Sequence, residues 1–384
     1  MRIVLLLDIF DYSGVSRILL NVLKNINKDR FFVTVLLFNK YGELEVEIPK
    51  HIKVRHVFRT SPECSTIRII RLISGFIKGY IPKWLVRRIL YKEDYDVVID
   101  YKGVCPIALS AARGKKIYWS HKDFSPVTNL VERNSMERNS NRLTYKVKTK
   151  YFFRALKSCD WFISISEKLK ANFVERFGYE EKIKVLYNPI DEREIRKLSM
   201  ANKITIEKNG LRFCCITRFD NGKGIEKLIN VVNRLNNENY IFNLLLIGGG
   251  RTYENIRACF EKNSIDNIHL LGHLDNPYSL LRDSDVFVCP SEQEAYCSVL
   301  AEAIVLNKAI ITTDVGSCRE MLDNGTLGVI IGLTEDDLFE AMRFFIENPS
   351  HVQHYADLLA AKQTIPSLAD SIHKIEGFLL SLAT

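Results

Sequence analysis

Two glutamates eight residues apart, Glu294 and Glu302, flank the stretch of this chain best suited to hold a polar ligand. The run reads Cys289-Pro-Ser-Glu-Gln-Glu-Ala-Tyr-Cys-Ser-Val-Leu-Ala-Glu-Ala303. An apolar strand-like segment ends at Cys289, a loop carries Glu294, and a helix is predicted to start near Tyr296 and to include Glu302. The carboxylates can then address different ends of an extended ligand, one at a loop tip and one about two turns along a helix. Between them the backbone N–H groups around Cys297, Ser298 and Val299 open a helix, and a helix start attracts anions. A second segment, Cys215-Ile-Thr-Arg-Phe-Asp-Asn-Gly-Lys-Gly224, places Arg218 and Lys223 on a loop between a strand and a helix over 226–235. A guanidinium can grip two oxygens and an ammonium supplies a point charge, so this pair suits a diphosphate. Spacing alone leaves plainer readings open, namely two solvated glutamates and a basic turn. Two further turns follow strand-like runs: Ile247-Gly248-Gly-Gly250 and Leu271-Gly272-His273. The first lacks a full dinucleotide fingerprint and is equally a tight strand-to-helix turn.

Positioning such loops requires strands that end where the loops begin. Short apolar runs supply them at Arg2–Leu7, Val33–Phe38, Val97–Asp100, Ile117–Trp119, Trp161–Ser164 and Lys184–Leu186. A second series follows at Arg212–Ile216, Asn243–Ile247, Ile268–Leu271, Val286–Cys289, Ala309–Thr313 and Leu327–Ile330. Runs of this length at this spacing are characteristic of strands buried on both faces of a parallel sheet. Two series predict an α/β chain of two Rossmann-like, doubly wound domains, with the ligand in a central cleft at the carboxyl ends of the strands. The predicted domains are 1–190 and 191–365, with a C-terminal helix over about 366–384 packing back on the first. The opening run Met1–Asp8 is an early buried strand rather than a signal peptide, because its apolar stretch is short and ends in Asp8. No stretch approaches the ~20 apolar residues that span a bilayer.

The 384 residues carry a net charge of +8 that is unevenly shared. Residues 1–190 hold 35 Lys and Arg against 19 Asp and Glu, a net of +16; residues 191–384 hold 19 against 27, a net of −8. A basic first half faces something anionic. From Ser65 to Lys92 seven cations and no acid interleave with apolar residues; Arg68, Arg71, Lys78, Lys83, Trp84, Arg87 and Arg88 are the candidate membrane and acceptor patch. An ordinary helix pair packed on the domain is the alternative. No nucleic-acid motif accompanies the charge. The nine cysteines are scattered and lack C-x-x-C spacing, so reduced thiols and no metal site are expected.

Four motifs in order carry a resemblance: the Arg218-x4-Lys223-Gly224 loop, Asn276-Pro-Tyr through Pro290-Ser291, the Glu294-x7-Glu302 segment, and Thr312-Thr-Asp-Val-Gly-Ser-Cys-Arg-Glu320 followed by Asp323-Asn-Gly. Together they resemble the family 4 retaining glycosyltransferases of GT-B fold, and the likeness covers the second domain nearly end to end. The resemblance implies that Arg218 and Lys223 bind a donor diphosphate, that Glu294 contacts the donor sugar, and that Glu302 binds the ribose. It places Gly248, Gly272 and His273 near the nucleotide, together with Tyr296, Cys297, Ser298 and Val299. Where the family usually has Glu-Gly-Phe-Gly this chain reads Glu294-Ala-Tyr-Cys297, which adds Cβ atoms and disfavours positive φ.

The likeness is thinner in the first domain. Gly14 matches a glycine near the donor phosphates, and Tyr118-Trp-Ser-His-Lys-Asp123 resembles the segment whose histidine lies by the reacting sugar. That makes His121, with Glu294, a candidate catalytic residue and Asp123 a weaker one. The resemblance implies a retaining transfer of a hexose or N-acetylhexosamine from a nucleotide-sugar, UDP-linked by preference, without metal or other cofactor. The expected acceptor is a lipid-linked or lipopolysaccharide glycan, met by a cytoplasmic protein peripheral on the inner membrane face. A GT-B epimerase, a transferase with a soluble acceptor, and a non-catalytic partner that binds glycan or membrane are the alternatives.

Overall fold

A computed structural model describes residues 1–38, 42–57, 83–103, 106–122, 152–201, 204, 206–263 and 267–383. It divides into two compact units, Met1–Pro189 with Leu368–Thr384, and Ile190–Ser367.

In the first unit β1 (Arg2–Leu7), β2 (Phe32–Leu37), β3 (Lys53–His56), β4 (Val97–Asp100), β5 (Lys115–Ser120), β6 (Trp161–Ser164) and β7 (Ile183–Val185) form one parallel sheet in the order β3-β2-β1-β4-β5-β6-β7. In the second, β8 (Leu211–Ile216), β9 (Phe242–Ile247), β10 (Ile268–Gly272), β11 (Val286–Cys289), β12 (Ala309–Thr313) and β13 (Val329–Ile331) run in the order β10-β9-β8-β11-β12-β13. The central strands are buried end to end, as in Phe242–Ile247 and Ala309–Thr313, because helices cover both faces. This is why the apolar runs marked them without any polar alternation. Strand ends shift by one or two residues from the sequence expectation, and β3 is an addition. Its Lys-Val-Arg-His is half exposed at a sheet edge, so it carries no continuous apolar signal.

Each order reverses once, between β1 and β4 and between β8 and β11. Loops at such reversals diverge and leave a crevice at the carboxyl ends of the strands. The loop after β8 holds Arg218 and Lys223, and the loop after β11 holds Glu294. In the first unit the corresponding loops run from Asp8 to Gly14 and from Tyr101 onward. The helix Leu368–Ser381 packs in the first unit: Phe378 lies edge-on to Trp161, ring centroids 5.6 Å apart, and Glu376 accepts a hydrogen bond from the Asn27 amide.

Close backbone contact fixes the crevice of the second unit. Gly248 ends β9 with φ +140°, and a Cβ there would lie 1.8 Å from the Thr217 carbonyl oxygen, a backbone atom with nowhere to go. Gly248→Ala is therefore expected to destabilise this unit by about 3 kcal/mol, seen as a lower thermal unfolding midpoint.

Candidate functional site

In the second unit the crevice is closed by contacts between the two loops at the reversal. Lys223 follows a left-handed Gly222 and precedes a left-handed Gly224, whose absent Cβ makes room for the Pro290 carbonyl oxygen, 2.0 Å from where it would sit. The Glu292 amide donates to the Gly222 carbonyl at 2.9 Å. The loops are thereby held against each other, and Lys223 Nζ reaches Glu294 Oε1 at 2.7 Å, with each side chain 16% exposed. Ser291 Oγ donates to the same oxygen at 3.0 Å, and the Thr313 hydroxyl in turn bonds the Ser291 carbonyl. Glu294 is thus oriented by an ammonium and a hydroxyl that is itself anchored to β12.

Arg218 sits differently. Its side chain is 70% exposed and its guanidinium pairs with Asp220 at 3.2 Å, while Asp220 also accepts from Arg251 Nε at 3.0 Å. Burial pushes the Asp220 carboxyl up, but the hydrogen bonds from Arg251 and the charges of Arg218 and Arg251 outweigh it and hold the group below the usual carboxylate range. Asp220 and Arg251 complete a cation-rich rim that spacing did not single out. Arg251 directly follows the glycine turn Gly248–Gly250, a position that could have flagged it.

The helix that follows Glu294 begins at Ser298, two residues later than expected, and runs to Val305. The reason is Cys297, which caps it with φ +34° and ψ +73° despite its Cβ; Ala295 stays out of the positive-φ region. The glycine-to-alanine difference at 295 therefore adds no backbone strain, whereas the one at 297 costs about 1–2 kcal/mol. No side chain among the described residues caps this helix start, which leaves it suited to an anion at Ser298 and Val299. Tyr296 is buried, and Glu302 lies partly exposed on the helix. Cys289 Sγ lies 3.5 Å from Cys297 Sγ, and this thiol–thiol contact holds the Cys289 thiol below its ordinary range. Gly248 donates its amide to the Gly272 carbonyl at 2.8 Å, joining the two glycine turns, while His273 is mostly exposed beside Asp275.

The first unit gathers a second polar cluster. Lys102, after β4, donates to the Ile9 carbonyl at 3.0 Å and to Asp11 Oδ1 at 3.1 Å, and lies 3.6 Å from Asp8. Asp11 also accepts from Ser13 and Ser16 at 2.6 and 2.9 Å, and Ser13 caps the helix that Gly14 begins. Burial raises the Asp11 carboxyl, but these hydroxyls and the Lys102 charge outweigh it and bring it to about 2. His121, after β5, stacks on Trp119 and lies against Tyr101, with ring centroids 6.2 and 4.5 Å away. Both its ring nitrogens are buried and without a hydrogen-bond partner among the described residues. Burial and the nearby Lys102 charge lower the imidazole to about 3, so His121 is neutral near pH 7.

A base whose folded pKa is depressed stabilises the fold above its unfolded value of about 6.5, and the contribution is lost as pH falls towards 3. Wild type is therefore expected to lose about 2 kcal/mol more stability than His121→Phe between pH 7 and pH 5, measured by denaturant unfolding.

Of the basic segment, Arg68, Arg71 and Lys78 lie outside the described residues, as does Asp123. Lys83, Trp84, Arg87 and Arg88 lie on the helix Lys83–Leu90. Trp84 is 62% exposed, but Arg87 is not a free surface cation: its Nε donates to the Ala111 carbonyl at 2.9 Å. No described helix is long and apolar enough to cross a membrane.

Comparison with known proteins agrees with this architecture. The crystal structure of Anabaena Alr3699/HepE in complex with UDP and glucose matches with a TM-score of 0.71 at 17% identity, over 99% of this chain and 100% of that one. The fold is GT-B, built from two Rossmann-like units. Residues 12–194 match the profile described as Glycosyltransferase Family 4, and residues 197–360 the one described as Glycosyl transferases group 1. Between them they take in nearly the whole chain, which belongs to the family 4 glycosyltransferases of GT-B fold. Among relatives, the N-acetylgalactosamine-N,N'-diacetylbacillosaminyl-diphospho-undecaprenol 4-alpha-N-acetylgalactosaminyltransferase of Campylobacter jejuni is 26% identical over 181 residues, 46% of this chain and 48% of that one. The capsular polysaccharide biosynthesis glycosyltransferase CapM of Staphylococcus aureus is 28% identical over 188 residues, 44% of this chain and 47% of that one. The chain spans about half the length of the curated relatives it matches.

Proposed function

We propose that this protein is a retaining glycosyltransferase of surface-glycan assembly. It moves a hexose or N-acetylhexosamine from a UDP-sugar to a lipid-linked or lipopolysaccharide acceptor. The observation that carries the reading is the Lys223–Glu294 contact at the β8/β11 reversal, beside an uncapped helix start. Arg218, Lys223 and that helix start would take up the charge of the departing diphosphate, an electrostatic task. Glu302 would hold the ribose hydroxyls, and Glu294 a hydroxyl of the donor sugar. A neutral His121 would serve the reacting sugar as hydrogen-bond donor or acceptor. Attack on the donor's own face is preferred, because Glu294, the carboxylate assigned to the donor sugar, is already held by Lys223 and Ser291.

The Campylobacter relative is named for a diphospho-undecaprenol acceptor, and the Anabaena structure holds UDP and glucose; both support the choice of substrates. The test is a panel of UDP-, GDP- and ADP-sugars scored for slow donor hydrolysis. UDP-sugars are expected to be cleaved by wild type and not by Arg218→Ala or Glu294→Ala. Cleavage of none, or rates that both variants leave unchanged, would overturn the proposal. The basic segment is proposed to hold the protein on an anionic membrane face. Flotation with anionic liposomes should weaken with salt and with charge reversal at Arg88, and undiminished binding would contradict it.

A further inference from the structure

We propose that Cys289, Glu294 and Cys297 form a binding site for a soft divalent cation of the zinc class. β11 ends on Cys289, the loop brings Glu294 back, and the left-handed turn at Cys297 aims the second thiol at the first. The three ligand atoms lie within 4.8 Å of one another. The sulfurs are 3.5 Å apart. Two metal–sulfur bonds of about 2.3 Å at the tetrahedral angle put their sulfurs about 3.8 Å apart, so the thiols need shift by only about 0.3 Å. A disulfide, at about 2.05 Å, would require them to close by roughly 1.5 Å. Two thiolates with one carboxylate select zinc-like ions over magnesium or calcium. On binding, two thiol protons pass to solvent while two metal–sulfur bonds and one metal–oxygen bond form. Lys223 Nζ gives up its contact with Glu294. Three protein ligands leave a fourth position for water, the open type of site rather than the closed structural one.

A bound ion would occupy the carboxylate assigned above to the donor sugar and so inhibit transfer. That consequence rests on the proposed function; the binding does not. The test is a Co²⁺ titration of the whole reduced protein, followed by its thiolate-to-cobalt charge-transfer band, with Zn²⁺ then displacing the cobalt. Wild type should give the band at one ion per chain. Cys297→Gly, which relieves the backbone strain and should fold, and Cys289→Ser should each weaken binding by at least about tenfold. Zn²⁺ should compete with UDP-sugar hydrolysis in wild type but not in Cys289→Ser. No band in wild type, a band undiminished in Cys297→Gly, or recovery of 289 and 297 as a disulfide under the reducing titration would each overturn the site. A band present without inhibition would leave the site standing and count against the donor role of Glu294.

Discussion

Lys223→Ala is expected to lower kcat/KM for donor hydrolysis and transfer by about 10²–10³-fold, the usual cost of removing one preorganised group from developing negative charge. Lys223 is no floppy surface lysine. Left-handed glycines flank it, its loop packs on Pro290, and only 16% of the side chain is exposed. Its charge is therefore in place before a diphosphate arrives, and little reorganisation is needed when the bond to the sugar breaks. The same substitution leaves Glu294 with only the Ser291 hydroxyl among the described residues, a loss of about 1–2 kcal/mol of stability by thermal unfolding. Arg218→Ala should cost less stability, because that side chain is 70% exposed and its partner Asp220 keeps Arg251.

Glu294→Gln should separate binding from turnover. In the ligand-free arrangement the carboxylate neutralises Lys223, the cation a diphosphate would use. Replacing it by an amide frees that charge, so UDP should bind several-fold more tightly. Turnover should nevertheless fall by about 10²-fold, because the amide cannot hold a sugar hydroxyl as a charged acceptor does. Calorimetry for UDP and initial rates for the UDP-sugar check the two halves. Weaker UDP binding with unchanged turnover would place Glu294 outside the donor site.

Much of this was legible in the sequence for one physical reason. Strands buried on both faces, such as Phe242–Ile247, must be apolar throughout, and the loops after them are where a parallel sheet exposes ligand-binding groups. That is how Arg218, Lys223 and Glu294 were placed on loops after strands. The order of the strands was not legible, since it is set by packing between segments far apart in the chain. Yet that order puts the β8 and β11 loops side by side and creates the Lys223–Glu294 contact across 71 residues. The same holds for Lys102 and Asp11, 91 residues apart, which meet only because β1 and β4 are neighbours. The helix start at Ser298 was misplaced because a cysteine with positive φ gives no sequence signal. Arg87 read as a free cation of an amphipathic face, since nothing local reveals the Ala111 carbonyl that it caps.

The central claim is that two cations at the β8/β11 reversal hold a nucleotide diphosphate. Calorimetric binding of UDP and UMP to wild type and to the Arg218→Ala/Lys223→Ala double variant tests it most directly. UDP should bind wild type at least about tenfold more tightly than UMP, and the double variant should bind the two alike. A UDP preference that survives loss of both cations, or no binding of either nucleotide by wild type, would contradict the account.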